Sequence, residues 1–193
     1  MANAAIATPP LLTDAGFLYW APIGSTLPTG TVVGSVFTDT WPVAWVPLGM
    51  TASGTKFSPN LTVSPITAAE VIDPIAYRTT NRETVITFML LSFTATNLAR
   101  TLNGAATVVT GSTTTTMTKL DPPSPGTETR AMIGFESLDS TFRFVAYQVI
   151  NSGSIDMTFD KAPNTTSLPW NANLEKPVST QPFTIWTAGA TRA

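Results

Sequence analysis

The 193-residue chain offers few side chains that could do chemistry. It has no cysteine and no histidine, which removes thiolate and imidazole metal ligands, disulfide staples, a His-activated nucleophile and an imidazole pH switch. Ser53-Gly54-Thr55-Lys56 fits the S-x-x-K spacing, in which a lysine amine serves a serine nucleophile. That chemistry needs the serine at a helix start and two partner motifs. Here the run sits in a predicted hairpin turn, and the partners are absent. No Gly-rich phosphate loop, nucleophile elbow or EF-hand loop is present either. The reading is a protein that is not an enzyme, with no catalytic, cofactor-binding or metal-ligating residue.

Asp156 and Asp160, with Asp139 and Glu136 nearby in sequence, are the main concentration of carboxylates. Residues i and i+4 of a strand share a face but lie about 13 Å apart, too far for one water or one metal ion to bridge. They read as solvated strand-face charges. A functional role arises if copies of the chain repeat them around a shared channel, where a ring of aspartates would keep a DNA backbone from sticking. Asp156 and Asp160 are therefore the candidate lumen-lining acids. The aromatic set Trp20, Trp41, Trp45, Trp170, Trp186, Tyr19, Tyr77 and Tyr147 suits either core and interface anchors or a sugar-binding platform. Arg78, Arg82, Arg100, Arg130 and Arg143 are too scattered for a phosphate track. Candidate contacts between subunits are Phe17, Trp20, Trp45, Phe57, Leu120 and Arg130.

The composition poses a surface problem. Ten Lys and Arg against twelve Asp and Glu give a net charge of −2, so no basic field exists to hold DNA or an anionic membrane. A soluble domain of this length carries about 48 charged residues; this one has 22, and the sequence holds 35 threonines instead. Either the protein wears a neutral, Thr-coated monomeric surface, or neighbouring copies cover much of its exterior. The second reading is preferred. The start of the chain does not read as a signal peptide, and the longest apolar run, Val85 to Phe93, is about half of the ~20 residues that a membrane helix needs. The two Asn-x-Thr sequons at Asn60 and Asn164 are then chance in a Thr-rich chain made and used without crossing a secretory pathway.

The elements that must position these residues are mostly strands. Thr is β-branched and favours them, while 16 Pro and 12 Gly punctuate the chain too often for long helices. Residues 1–15 read as an extended arm, followed by a single domain over 16–193. Strands are predicted at Phe17 to Trp20 and Ala44 to Gly49, the latter at an edge because Pro47 cannot donate to a ladder. Ala52-Ser53-Gly54-Thr55 is predicted to turn a hairpin into Lys56-Phe57. Arg82 to Phe93 alternates with apolar residues on both faces and is expected to be covered on both. A helix capped by Thr94 or Thr96 follows, with Ala95, Leu98, Ala99 and Leu102 on one stripe and Gly104 as its stop. Residues 104–130 form a Thr/Pro/Gly-rich insertion loop in which Val108 to Leu120 could pair as a hairpin. Ala131 to Leu138, Phe142 to Ile150 and Ser154 to Phe159 are predicted antiparallel strands. Pro163 to Pro177 reads as a loop, and Pro182 to Thr187 as the last strand.

The run Trp45-Val46-Pro47-Leu48-Gly49-Met50-Thr51-Ala52-Ser53-Gly54 resembles the W-x-x-L-G opening of siphophage major tail (tail tube) proteins, those of actinobacterial hosts in particular. The long strand running into the Thr94–Gly104 helix, the insertion, the paired strands from Ala131 and the closing strand at Phe183 follow the order of that family. The extra C-terminal immunoglobulin-like domain of some members has no counterpart. The resemblance implies an antiparallel β-sandwich or split barrel with one short helix, near 94–103. It implies hexameric rings, stacked around a lumen that conducts genome DNA and holds a tape-measure protein, both without specific binding. It also implies tail terminator and distal tail proteins at the tube ends, no cofactor, no membrane, assembly in the host cytoplasm and residence in the virion. The arm, the region near 50–60 and the loop 104–130 would gain order from neighbours. Another β-rich virion part (tail terminator, capsid decoration, baseplate adhesin) and a carbohydrate-binding module are the alternatives.

Overall fold

The computed structural model describes residues 15–104, 106–110, 116–155 and 166–188. In chain order the elements are β1 (Gly16–Pro22), β2 (Val32–Val33), β3 (Val36–Phe37), β4 (Val46–Gly49), β5 (Thr51–Ile66), β6 (Ala76–Leu90) and α1 (Ala95–Thr101). Then come β7 (Ala106–Thr110), β8 (Thr116–Leu120), β9 (Ala131–Ser137), β10 (Phe142–Asn151), β11 (Leu168–Leu174) and β12 (Phe183–Thr187). The protein is mainly β and antiparallel, with one short helix, as the alternating patterns require.

Eight strands share one sheet that folds over on itself. One layer runs β4-β1-β9-β10-β12 and the other β5-β6-β11. Strand β10 belongs to both. Its first half pairs with β12 (Phe142↔Thr187 to Ala146↔Phe183), and its end pairs with β11 (Val149↔Leu174 to Asn151↔Ala172). The sheet does not close into a barrel, because β4 and β5 are sequential but not hydrogen-bonded neighbours. The core lies between the layers. Leu18, Leu48, Ile133, Phe144 and Val149 of the first meet Ile86, Phe88, Leu90, Leu168 and Trp170 of the second. Removing such side chains from water contributes about 1.5–3 kcal/mol each. Phe88 stacks on Trp170 with ring centroids 5.2 Å apart, and Phe57 reaches across to Phe144 at 4.5 Å.

Helix α1 forms where it was expected. The Thr94 hydroxyl accepts from the Asn97 N–H at 3.1 Å, filling the N-cap role. The stop is Asn103, which takes φ +53, rather than Gly104, whose N–H instead closes on the Ala99 carbonyl at 2.8 Å. Asn97 anchors the helix, its Nδ2 donating to the carbonyls of Leu48 and Ser92, both at 3.0 Å.

The structure corrects three sequence expectations. Ala52 to Thr55 is not a hairpin turn. It lies inside the 16-residue β5 as an irregularity between Thr51 and Thr55, with Gly54 at φ +72, and the chain reverses at 67–75 instead. β6 is covered on one face only: Thr84, Ile86, Phe88 and Leu90 are buried, whereas Thr87 and Met89 are exposed. The stretch read as a Pro/Asn loop contains β11, with Leu168, Trp170 and Ala172 inward. Pro169 is tolerated because β6 is its one partner strand there, β10 joining β11 only from Ala172 onward. The expected pairing around Val108 to Leu120 is present as β7 with β8 (Val108↔Thr118). The strand predicted at Ser154 to Phe159 lies largely outside the described residues.

Candidate assembly surfaces

The feature that departs most from a self-contained sandwich is the β5–β6 hairpin. Its base packs on the core through Phe57, Ile86 and Phe88. From Pro59 on β5, and before Thr84 on β6, every residue is exposed. At strand rise, the eight residues 59–66 extend about 25 Å beyond the body. This arm carries uncovered apolar side chains: Leu61, Val63, Ile66 and Tyr77 on the strands, and Val71, Ile72 and Ile75 in the turn. Lys56, Arg78 and Arg82 on its strands and Glu70 and Asp73 at its tip make no ion pair with any described residue. Between them stand the uncharged polar residues Asn60, Thr62, Ser64, Thr79, Thr80 and Asn81, of which the β-branched threonines favour the strand, and Glu83 near the base.

The main sheet also has open strand edges. Among the described residues nothing pairs with the outer edge of β5 or of β12. A long unpaired edge presents a row of free N–H and C=O groups that template another strand. Natural monomers blunt such edges with charge, and here Lys56 is the one ionised residue along β5.

The body that carries these surfaces is held by a buried ionic knot on the outer face of β1, β9 and β10. Arg143, on β10, is 1% exposed. Its Nη1 lies 2.7 Å from Asp39 Oδ1, and its Nη2 donates to the Asp39 carbonyl at 2.6 Å and to Glu136 Oε1 at 3.2 Å. Trp41 Nε1 donates to the other oxygen of Glu136. The guanidinium sits 4.6 Å from the Phe37 ring centroid. Burial pushes the Asp39 carboxyl up, but the Gly30 N–H, the Arg143 guanidinium and the Thr29 hydroxyl together hold it below its ordinary value. Tyr19, stacked on Trp41 at 4.4 Å, has its phenol raised by burial and by the Glu136 charge. Gly134 is required beneath this layer, since a Cβ there would lie 2.4 Å from the Trp41 ring. A smaller group ties the far end of the sheet: Arg130 Nε and Gln148 Nε2 both donate to Glu175 Oε2, at 3.2 and 2.5 Å. Burial opposes ionisation of Glu175, but these two donors hold its carboxyl below the ordinary value.

The geometry is therefore that of a rigid β body with an unpartnered arm and open edges, and comparison with protein families agrees with it. The family model for phage tail tube proteins matches residues 9–186. The chain belongs to that family. No curated protein matches the chain. A tail tube protein is a structural, non-enzymatic component of the phage tail that assembles with itself into a tube, which accounts for a surface poor in charge and a hairpin exposed on both faces.

Within this tail tube subunit the candidate contact residues occupy different settings. Phe17 is 52% exposed at the start of β1 and can reach a neighbour. Phe57 is half-buried at the open side of the sandwich. Leu120 ends β8 half-buried, and Arg130 is engaged with Glu175. Trp20 packs on the core beneath Arg100, whose guanidinium lies 4.3 Å above its ring; burial lowers the Arg100 pKa. Trp45 is 4% exposed, with its Nε1 donating to the Thr26 carbonyl at 2.8 Å, so it offers this chain's interior more than its surface. Asp156 and Asp160 lie outside the described residues. The apolar residues of the hairpin tip were not singled out from sequence. The available signal was Val71, Ile72 and Ile75 spaced among Glu70, Asp73 and Pro74, a pattern with no buried face.

Proposed function

We propose that this tail tube subunit builds the long non-contractile tail of a siphophage with an actinobacterial host, six copies closing each ring and rings stacking around a lumen for double-stranded DNA. One observation carries the reading: β5 is 16 residues long, its outer edge is unpaired among the described residues, and its outer half has no covering element on either face. Joining that edge to a different edge of the next copy is a heterologous contact, which closes into a ring when the rotation permits. Pairing also removes the aggregation hazard of the free edge.

In this arrangement the residues 1–15 and the insertion 104–130 lie against neighbouring copies, with Phe17, Phe57, Leu120 and Arg130 at contacts and Trp20 and Trp45 shaping the surface from within. Asp156 and Asp160 line the lumen, which passes DNA and holds a tape-measure protein without specific binding. Tail terminator and distal tail proteins cap the two ends, and assembly takes place in the host cytoplasm. The low net charge of −2 suits a bore through which a polyanion must slide.

The test is negative-stain microscopy of the purified protein. Hollow tubes of uniform diameter are expected. A monodisperse monomer at high concentration, or isolated single rings or spikes, would sink the reading.

A further inference from the structure

The two layers of the sandwich do not meet everywhere. Between them lies a cavity of about 260 Å³, lined by Leu18, Ile133, Phe135, Phe142 and Phe144 of one layer and Thr55, Phe57 and Ile86 of the other. Protein interiors are close-packed, and a dry apolar void of about 150 Å³ already accepts benzene. This space is larger, and its side-chain lining is apolar apart from the Thr55 hydroxyl. Thr55, Phe57, Phe135 and Phe142 stay half-buried, which places the opening at the side of the sandwich, next to the unpaired edge of β5.

A matching set of apolar side chains exists on the same molecule, at the far end of the hairpin. Ile72 is fully exposed at the tip, with Val71 and Ile75 beside it at 51% and 62%. From Phe57 to Ile66 the strand covers nine residues, about 30 Å. A tip held that far from its own cavity cannot fill it. An apolar knob and an apolar socket on different parts of one chain make a heterologous contact, which propagates from copy to copy.

We propose that the cavity is a socket for the hairpin tip of a second copy of this chain, with Ile72 entering between Phe57 and Phe142. The inference rests on the self-assembly reading above and adds the joint through which it operates. Burial of Ile72 and its neighbours supplies the apolar contact, and the socket brings no charge that would have to be desolvated.

The absence of cysteine makes the test direct. A double variant, Thr55→Cys with Ile72→Cys, is assembled and mildly oxidised. The expected result is a ladder of disulfide-linked oligomers on a non-reducing gel, absent from either single variant. Assembled tubes without such a ladder overturn the proposal. Filling the socket with Thr55→Leu gives a second readout. The free subunit should keep or gain thermal stability, while the concentration needed for tubes rises at least ten-fold. Tubes formed at the wild-type concentration would overturn the proposal while leaving the tube function standing. Failure of the unmodified protein to form any tube would instead refute the reading on which it rests.

Discussion

Arg143 and Asp39 are 104 residues apart in sequence and meet twice in space, through the Asp39 carboxylate at 2.7 Å and its carbonyl at 2.6 Å. The pair fastens the segment before β4 onto the β9–β10 ladder, where Arg143 stands directly opposite Glu136. Because Arg143 is 1% exposed, removing the Asp39 carboxylate takes one of its two acidic partners from a buried site and leaves Glu136 and the residue-39 carbonyl to hold the guanidinium. Asp39→Ala is expected to cost about 1.5–3 kcal/mol, the range for a lost hydrogen bond to a charged group. Arg143→Met with Asp39→Leu and Glu136→Leu should cost less than that single change, since a well-packed apolar set can replace a buried ion cluster. Urea denaturation of an assembly-blocked subunit measures both. A loss under about 1 kcal/mol for Asp39→Ala would show that water reaches the site.

The same carboxylate sets an acid limit. The folded state holds Asp39 below its ordinary value, and Glu175 likewise. A carboxylate depressed in the folded state contributes its full stability above the unfolded pKa, near 4. That contribution is lost as pH falls from there through the lowered folded values. Denaturation midpoints should therefore be flat with respect to these groups from about pH 7 to 5 and fall below about pH 4. Asp39→Asn should be less stable at neutral pH and show a shallower acid decline. An equally steep decline in that variant would assign the acid sensitivity elsewhere.

The hairpin yields a prediction of opposite character. Leu61 and Val63 are 57% and 53% exposed and pack on no core residue of their own chain. Leu61→Asp and Val63→Asp should therefore change subunit stability by no more than about 0.5 kcal/mol. If this face is covered by another copy, each aspartate buries an unpaired charge at the contact and tube formation fails. Tubes of normal length from both variants would place the contact elsewhere. Separating the two readouts, denaturation for the subunit and microscopy for the assembly, distinguishes a folding defect from a docking defect.

How much was legible in the sequence follows from what each residue's neighbours are. Strands declared themselves by apolar and aromatic runs between turn signals, as in Phe142 to Asn151, which is buried on both faces from Arg143 to Ala146. The helix was marked by Thr94 and the apolar stripe behind it. β11 was hidden because Pro169, Asn171 and Asn173 all point away from the core, so its polar face masked the alternation of Leu168, Trp170 and Ala172. The hairpin was mislaid because Gly54 suggests a turn, whereas at φ +72 it serves an irregularity inside a long strand. The expected double cover of β6 failed since Thr87 and Met89 stay exposed on its other face. Arg143 read only as one of five scattered arginines, because the two carboxylates that surround it are brought in by tertiary structure alone. Isolated sequence positions carry no trace of that meeting.

Gly49 supplies the last prediction, because it is the corner at which the chain leaves one layer for the other. It follows β4's Leu48, buried at 1%, and precedes Met50, whose carbonyl accepts from the Leu91 N–H at 2.8 Å. Its φ of +101 is a conformation that residues with a Cβ rarely adopt. A Cβ there would also lie 2.0 Å from the Ser92 hydroxyl oxygen, which receives the Met50 N–H at 3.3 Å. Gly49→Ala therefore meets two penalties, backbone strain of about 1–3 kcal/mol and displacement of Ser92. Combining it with Ser92→Gly removes the clash and leaves the strain. The double variant should recover part of the stability lost by Gly49→Ala, but not all of it. Complete recovery would mean that the glycine is needed for space alone; none would mean that the left-handed backbone accounts for the whole requirement.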